Sequence, residues 1–200
     1  YKFLAASPDG IVCDTTSKLY GRMIEIKNVV SREITGIPKM EYWIQMQLQM
    51  EVCDLDECDF LETKFIEYTD IEEFIEDVSI NKFKGIIIHS NIDNQPIYQY
   101  SPFNLSTDKL IEWSNTEYNN LDPTKEFIRF IYWKLEVISL ILVLRNRLWF
   151  SSVLPYIKCF WETLQQERES GEYIKRKKIK RQRNDNNSHE LGGGKCLIDL

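Results

Sequence analysis

The sequence predicts an α/β (α+β) fold in which a mixed β-sheet core is flanked by helices. Three observations carry that expectation. Short β-favouring runs recur between turn residues, a helical pattern follows Pro38, and a second, longer helical pattern lies near the end of the chain. With 200 residues, 43% of them hydrophobic, the chain can bury a sizeable core as one domain. We place that domain at residues 1–170, with a basic, flexible tail over 171–200.

Each element has its own justification. Phe3-Leu4-Ala5-Ala6 is expected as a short strand before the Ser7-Pro8 turn. Gly10-Ile11-Val12 and Met23-Ile24-Glu25-Ile26 are expected to form a hairpin, or two nearby sheet strands, because a polar turn from Asp14 to Lys18 and Gly21 separate two β-favouring runs. Side chains on a strand alternate faces, so Ile24 and Ile26 are expected in the core while Glu25 and Lys27 emerge together on the other side. Residues 28–38, with Gly36 and Pro38, read as a loop. A helix then follows over 38–52 and sets Tyr42, Gln45 and Gln49 on one face at i, i+3 and i+7. After a turn at 55–59, alternation predicts a strand over 60–68. A short helix is expected at 71–75, and a buried strand at 83–89 with its hairpin partner at 96–100. Ser106 or Thr107 caps a helix through Leu110, Ile111 and Trp113. Residues 127–145 are rich in β-branched and aromatic side chains and read as strands, although Phe130, Trp133, Val137 and Leu140 also fit a helical stripe. Residues 148–169 read as a helix with Pro155 near its start or at a kink, burying Leu154, Ile157, Phe160, Trp161 and Leu164.

The hairpin carries the chemistry. Two carboxylates, Asp9 and Glu25, converge with the Lys27 ammonium, a set suited to metal-dependent phosphodiester cleavage. Mg²⁺ takes one or two carboxylates together with water and phosphate oxygens. Lys27 could orient or deprotonate the attacking water, or offset charge on the pentavalent phosphate. Taken alone, an Asp followed by Glu-x-Lys is weak, because charged residues are common on the solvent face of a strand.

The order Ser7-Pro8-Asp9-Gly10, then Glu25-Ile26-Lys27, then Tyr42-x-x-Gln45-x-Gln47 resembles the YqaJ-type viral recombinases, relatives of lambda exonuclease within the PD-(D/E)xK nuclease superfamily. The resemblance is close over residues 3–68 and looser over 132–161. It implies a restriction-endonuclease-like sheet whose N-terminal part this chain lacks, because it begins at Tyr1 without the family's earlier helices. It also implies Asp9, Glu25, Lys27 and Gln45 as catalytic residues, and Asp9, Glu25 and the backbone carbonyl of Ile26 as ligands of Mg²⁺, with Mn²⁺ as the alternative. Ser7, Lys39, Tyr42 and Gln47 are the implied substrate contacts. The implied activity is a 5′-to-3′ exonuclease on double-stranded DNA ends, in viral or phage recombination or repair. The implied partners are DNA, a single-strand annealing protein and further copies of the chain. The alternative is a truncated, catalytically impaired DNA-associated binding module that keeps the nuclease fold.

Charge and cysteines bound the rest. The net charge of −6 is unlike that of a generic nucleic-acid binder, but residues 175–183 hold seven basic side chains. That run fits a nuclear-localisation signal, a DNA anchor or a charged helix extension. Twelve acidic residues against one lysine between Glu51 and Asp77 read first as a solvated face, and otherwise as a surface that faces away from DNA or binds a basic partner. Five scattered cysteines argue for a reducing compartment, and Cys53 with Cys58 lacks a second Cys/His pair for zinc. The longest apolar stretch, 138–144, is too short for a membrane span. We therefore expect an intracellular protein, in host cytoplasm or nucleus if viral, with no membrane partner.

Overall fold

In a computed structural model the chain is described over residues 1–78 and 83–175. The run at 176–183 and Cys196 lie outside the described residues. Two compact units are distinguishable, Tyr1–Leu154 and Pro155–Leu200.

The first unit is built on a six-stranded mixed sheet in the order β1-β2-β3-β6-β4-β5. β1 (Gly10–Ile11) pairs antiparallel with β2 (Met23–Asn28), setting Gly10 against Ile24 and Ile11 against Met23. Glycine suits the first position, because a Cβ there would lie 2.8 Å from Ile24 Cγ2. β2 then crosses through α1 (Met40–Cys53) to its parallel neighbour β3 (Glu57–Glu67), with Glu25 opposite Phe60 and Lys27 opposite Glu62. α1 ends at Asp54, which adopts the left-handed conformation (φ 53°) and donates its N–H to the Met50 carbonyl.

α2 (Ile71–Glu76) is capped by Asp70, and the β4 (Lys84–Ile92) and β5 (Gln95–Tyr100) hairpin turns at Asp93 and Asn94, both at positive φ. Ser106 caps α3 (Thr107–Asn119) by accepting from the Lys109 N–H. The expected strands at 127–145 are a single 19-residue strand, β6 (Glu126–Leu144), whose second half pairs with β3 and whose first half pairs with β4. Register shifts at Lys64/Phe65 and His89/Ser90 bend the ladder on either side of it.

Two clusters form the core. In one, Met46 and Met50 of α1 pack on Met23, Cys58, Phe60 and Val143; in the other, Phe74 of α2 and Leu110 of α3 pack with Tyr68 and Ile86. α4 (Arg147–Ser170) begins in the first unit, where Phe150 is buried and Trp149 meets Trp43 edge-on at 5.0 Å. In the second unit the rest of α4, beginning with Pro155, precedes α5 (Glu172–Lys175). Among the described residues no helix is long and apolar enough to cross a membrane.

Three expectations are corrected. Residues 3–6 are not a strand, because β1 pairs with β2 over only two residues and no sheet neighbour extends beside them. Phe160 is exposed, at 69%, while Ile157, Trp161 and Leu164 are half-buried at helical spacing. The two faces of β2 are also exchanged. Met23 and Glu25 are buried beneath α1, whereas Ile26 is 39% exposed on the reverse face, near the likewise open Leu140 and Leu142 of β6. Alternation separates two faces, and the helix determines which one is covered.

Candidate active site

The site lies where the open end of β1, the middle of β2 and one face of α1 meet. Gly10 pairs with Ile24, so Asp9 falls beside Glu25, and its Oδ2 accepts the Ile26 N–H at 2.7 Å. The N–H and C=O of a strand residue point to the same side, so the Ile26 carbonyl also faces past the end of β1. Asp9 is exposed, and its Oδ1 has no partner among the described residues.

Glu25 is 1% exposed and fully engaged. Its Oε1 accepts from Lys27 Nζ and from Gln45 Nε2, the latter at 2.7 Å. Its Oε2 accepts from Gln49 Nε2 at 2.8 Å, and the same amide reaches the Ser7 carbonyl at 3.3 Å. Burying a carboxylate is costly unless a counter-charge and hydrogen bonds compensate for the lost water. Lys27, two residues along the same face, and the glutamines on the helix that covers that face supply both. The negative charge reaches further inward: burial first, and then the nearby Glu25, push the Cys58 thiol up to about 12.

Around this centre the remaining expected residues separate. Tyr42 turns its ring toward Lys27, whose Nζ is 5.3 Å from the centroid, and toward Arg32 at 5.5 Å. Lys39 lines a cleft with Lys27 and Tyr42. Ser7 is exposed and touches the site through its carbonyl. Gln47 does not join them. It is buried on another side of α1, donating to the Leu144 carbonyl at 3.0 Å and accepting the Asn146 N–H at 2.6 Å. The glutamine that does reach Glu25, besides Gln45, is Gln49, and the helical spacing with Tyr42 and Gln45 was the signal for it. A second pair, Arg32 with Glu62, was not expected. Glu62 is 1% exposed, and its hydrogen bond holds the Arg32 guanidinium's pKa above its ordinary value.

The donor set suits a hard divalent cation. Among the described residues no group of three or more His, Cys, Asp or Glu stands together, so an ion here would be held by two carboxylates and otherwise by carbonyl and water. Gln49 Oε1, buried and without a partner among the described residues, is an acceptor suited to a water on such an ion. The four described cysteines are free thiols.

Residues 1–56 match the model of the YqaJ-like viral recombinase domain. The resemblance read from the sequence therefore holds over the segment that contains Asp9, Glu25, Lys27, Gln45 and Gln49. An uncharacterized protein of Acanthamoeba polyphaga mimivirus is 31% identical over 201 residues, covering 81% of this chain. The chain spans 37% of that relative's length. The likeness to the relative thus extends well beyond the YqaJ-like segment.

Proposed function

We propose that the first unit is a Mg²⁺-dependent deoxyribonuclease, working 5′ to 3′ from double-stranded DNA ends in viral or phage recombination. Mn²⁺ is the alternative ion. The observation that carries this reading is the buried Glu25 carboxylate, held in one orientation by Lys27, Gln45 and Gln49 with Asp9 beside it. Likeness to the YqaJ-like domain supports the nuclease class. The direction, the preference for ends, an annealing-protein partner and assembly with further copies rest on that likeness.

Asp9, Glu25 and the Ile26 carbonyl would hold the ion, which when bound would polarise a phosphate oxygen and lower the pKa of a bound water. The protein's own groups do the rest. Gln45 and Gln49 fix the Glu25 carboxylate so that no reorganisation is needed during the reaction. Lys27, 25% exposed, lines the open cleft, where an ammonium offsets the charge that phosphorus oxygens gain as water adds. Tyr42 supports that ammonium with its ring face.

The test is Glu25→Gln, which keeps the side chain's shape. It is expected to lower Mg²⁺-dependent nucleotide release from linear duplex DNA by about 100-fold or more, the scale of losing a preorganised electrostatic group. Far-ultraviolet circular dichroism should be unchanged. Equal release by variant and wild type would remove the enzyme reading. The competing binding-module reading draws on the fact that both Glu25 oxygens are already satisfied by protein donors. It predicts duplex binding without release in either protein.

A further inference from the structure

Beside Lys27 the loop after β2 and the start of α1 enclose an open cleft of about 300 Å³, whose walls include Lys27, Ser31, Arg32, Lys39 and Tyr42. Three cations line one cleft in a chain of net charge −6. Two of them are held in place. Arg32 is bonded to the buried Glu62 and, like Lys27, lies over the Tyr42 ring. Their side chains nevertheless stay accessible, at 21% and 25%. Among the described residues the Lys39 ammonium pairs only with Glu41, at 3.8 Å, and both are exposed. Lys39 is also the N-cap of the 14-residue α1, and no side chain caps that end, so its first N–H groups add positive potential at the cleft wall.

A purely structural ion pair would account for Arg32 and Glu62. It leaves unexplained the open volume, Lys39 and the uncapped helix end. We infer that this cleft is a phosphate subsite: Arg32, Lys39 and the start of α1 take a non-scissile backbone phosphate of the nucleic acid, next to the one cleaved at Glu25, where Lys27 stands. The inference rests on the nuclease reading and deepens it. Tyr42 is the shared platform, its ring lying under both Lys27 and Arg32. Arg32 is a binding residue, and Glu62 positions it in the cleft.

The experiment measures binding of fluorescein-labelled duplex DNA to metal-free protein across a range of salt concentrations. Lys39→Gln and Arg32→Gln should each weaken binding several-fold and reduce the slope of log affinity against log salt by about one. Arg32→Lys should keep most of the slope. With Mg²⁺ present, Lys39→Gln should raise KM more than it lowers kcat. Lys109→Gln, an exposed lysine on α3, is the control and should change neither quantity. An unchanged slope in Lys39→Gln, or an equal drop in Lys109→Gln, overturns the subsite. Should Arg32→Gln fail to fold because Glu62 loses its partner, Lys39→Gln decides alone. If slopes are unaffected while Glu25→Gln still abolishes nucleotide release, the subsite falls and the nuclease stands. If wild type neither binds nor cleaves DNA, both fall.

Discussion

Glu25 is the residue whose environment had to be solved before any other. An ionised carboxylate this deep costs several kcal/mol unless it is compensated, and the compensation comes from one strand neighbour and two helix amides. Gln49 is therefore a supporting residue, and its removal should be felt through the ion. Gln49→Leu leaves Glu25 Oε2 without its amide and is expected to raise the Mg²⁺ concentration for half-maximal cleavage about 10- to 100-fold. A metal titration of activity checks it; an unchanged midpoint would reduce Gln49 to packing. That Asp9, Glu25, Lys27 and Gln45 would lie together was legible in the sequence through the order of three motifs and the resemblance they carry, not through any one motif alone. That Glu25 would be buried was not legible. Strand alternation groups residues 23, 25 and 27 together, but only the position of Met46 and Met50 above them shows that this is the covered face. The Arg32–Glu62 pair was hidden for a related reason, since it joins a loop to a strand thirty residues on.

At the scale of elements, α1 ties the site to the sheet. Its Tyr42, Gln45 and Gln49 face serves the site, and its Gln47 is engaged by the backbone where β6 passes into α4. Arg145 secures the far end of the same helix by donating to Glu51 and Asp54 and to the Leu55 carbonyl. Gln47→Leu should therefore lower unfolding free energy by about 1–3 kcal/mol, the cost of leaving a buried carbonyl and N–H unpaired. Urea unfolding measures that, and KM for DNA should stay as in wild type. A raised KM with unchanged stability would return Gln47 to the substrate. β6 shows how far pattern reading goes. Its aromatic and β-branched composition pointed to strand against a competing helical stripe. Pairing with β3 on one side and β4 on the other explains why the strand conformation prevails, since each half satisfies its backbone groups against a neighbour. The single unbroken span was not legible, because composition says nothing about how two half-ladders share one strand.

Over the whole molecule, charge is divided. Much of the acidic stretch between residues 51 and 77 is tied up in ion pairs, among them Glu51 and Asp54 with Arg145 and Glu62 with Arg32, whereas the basic run at 175–183 favours nucleic acid. Replacing the basic residues of that run with Gln is expected to weaken duplex binding and flatten its salt dependence, by about 0.9 in log–log slope for each phosphate no longer neutralised. Unchanged binding would leave the run to localisation. The helices and hairpins were largely readable, because each rests on local turn and capping chemistry such as Ser106 and the Asp93-Asn94 turn. The order of strands across the sheet was not, because β3 meets β6 through residues some eighty positions apart, such as Phe60 and Ile141.

The span that matches the YqaJ-like domain stops at residue 56, one position short of β3. Cut there, β2 would lose its parallel neighbour from Met23 to Asn28, and Met23, Met46 and Met50 would lose Cys58, Phe60 and Val143. Such an excised piece would present a bare, sticky edge to other molecules and clump before it could grip an ion. The smallest version of this protein worth expressing is therefore one whose far border lies beyond Asn146, about ninety residues past the last position of the matched motif.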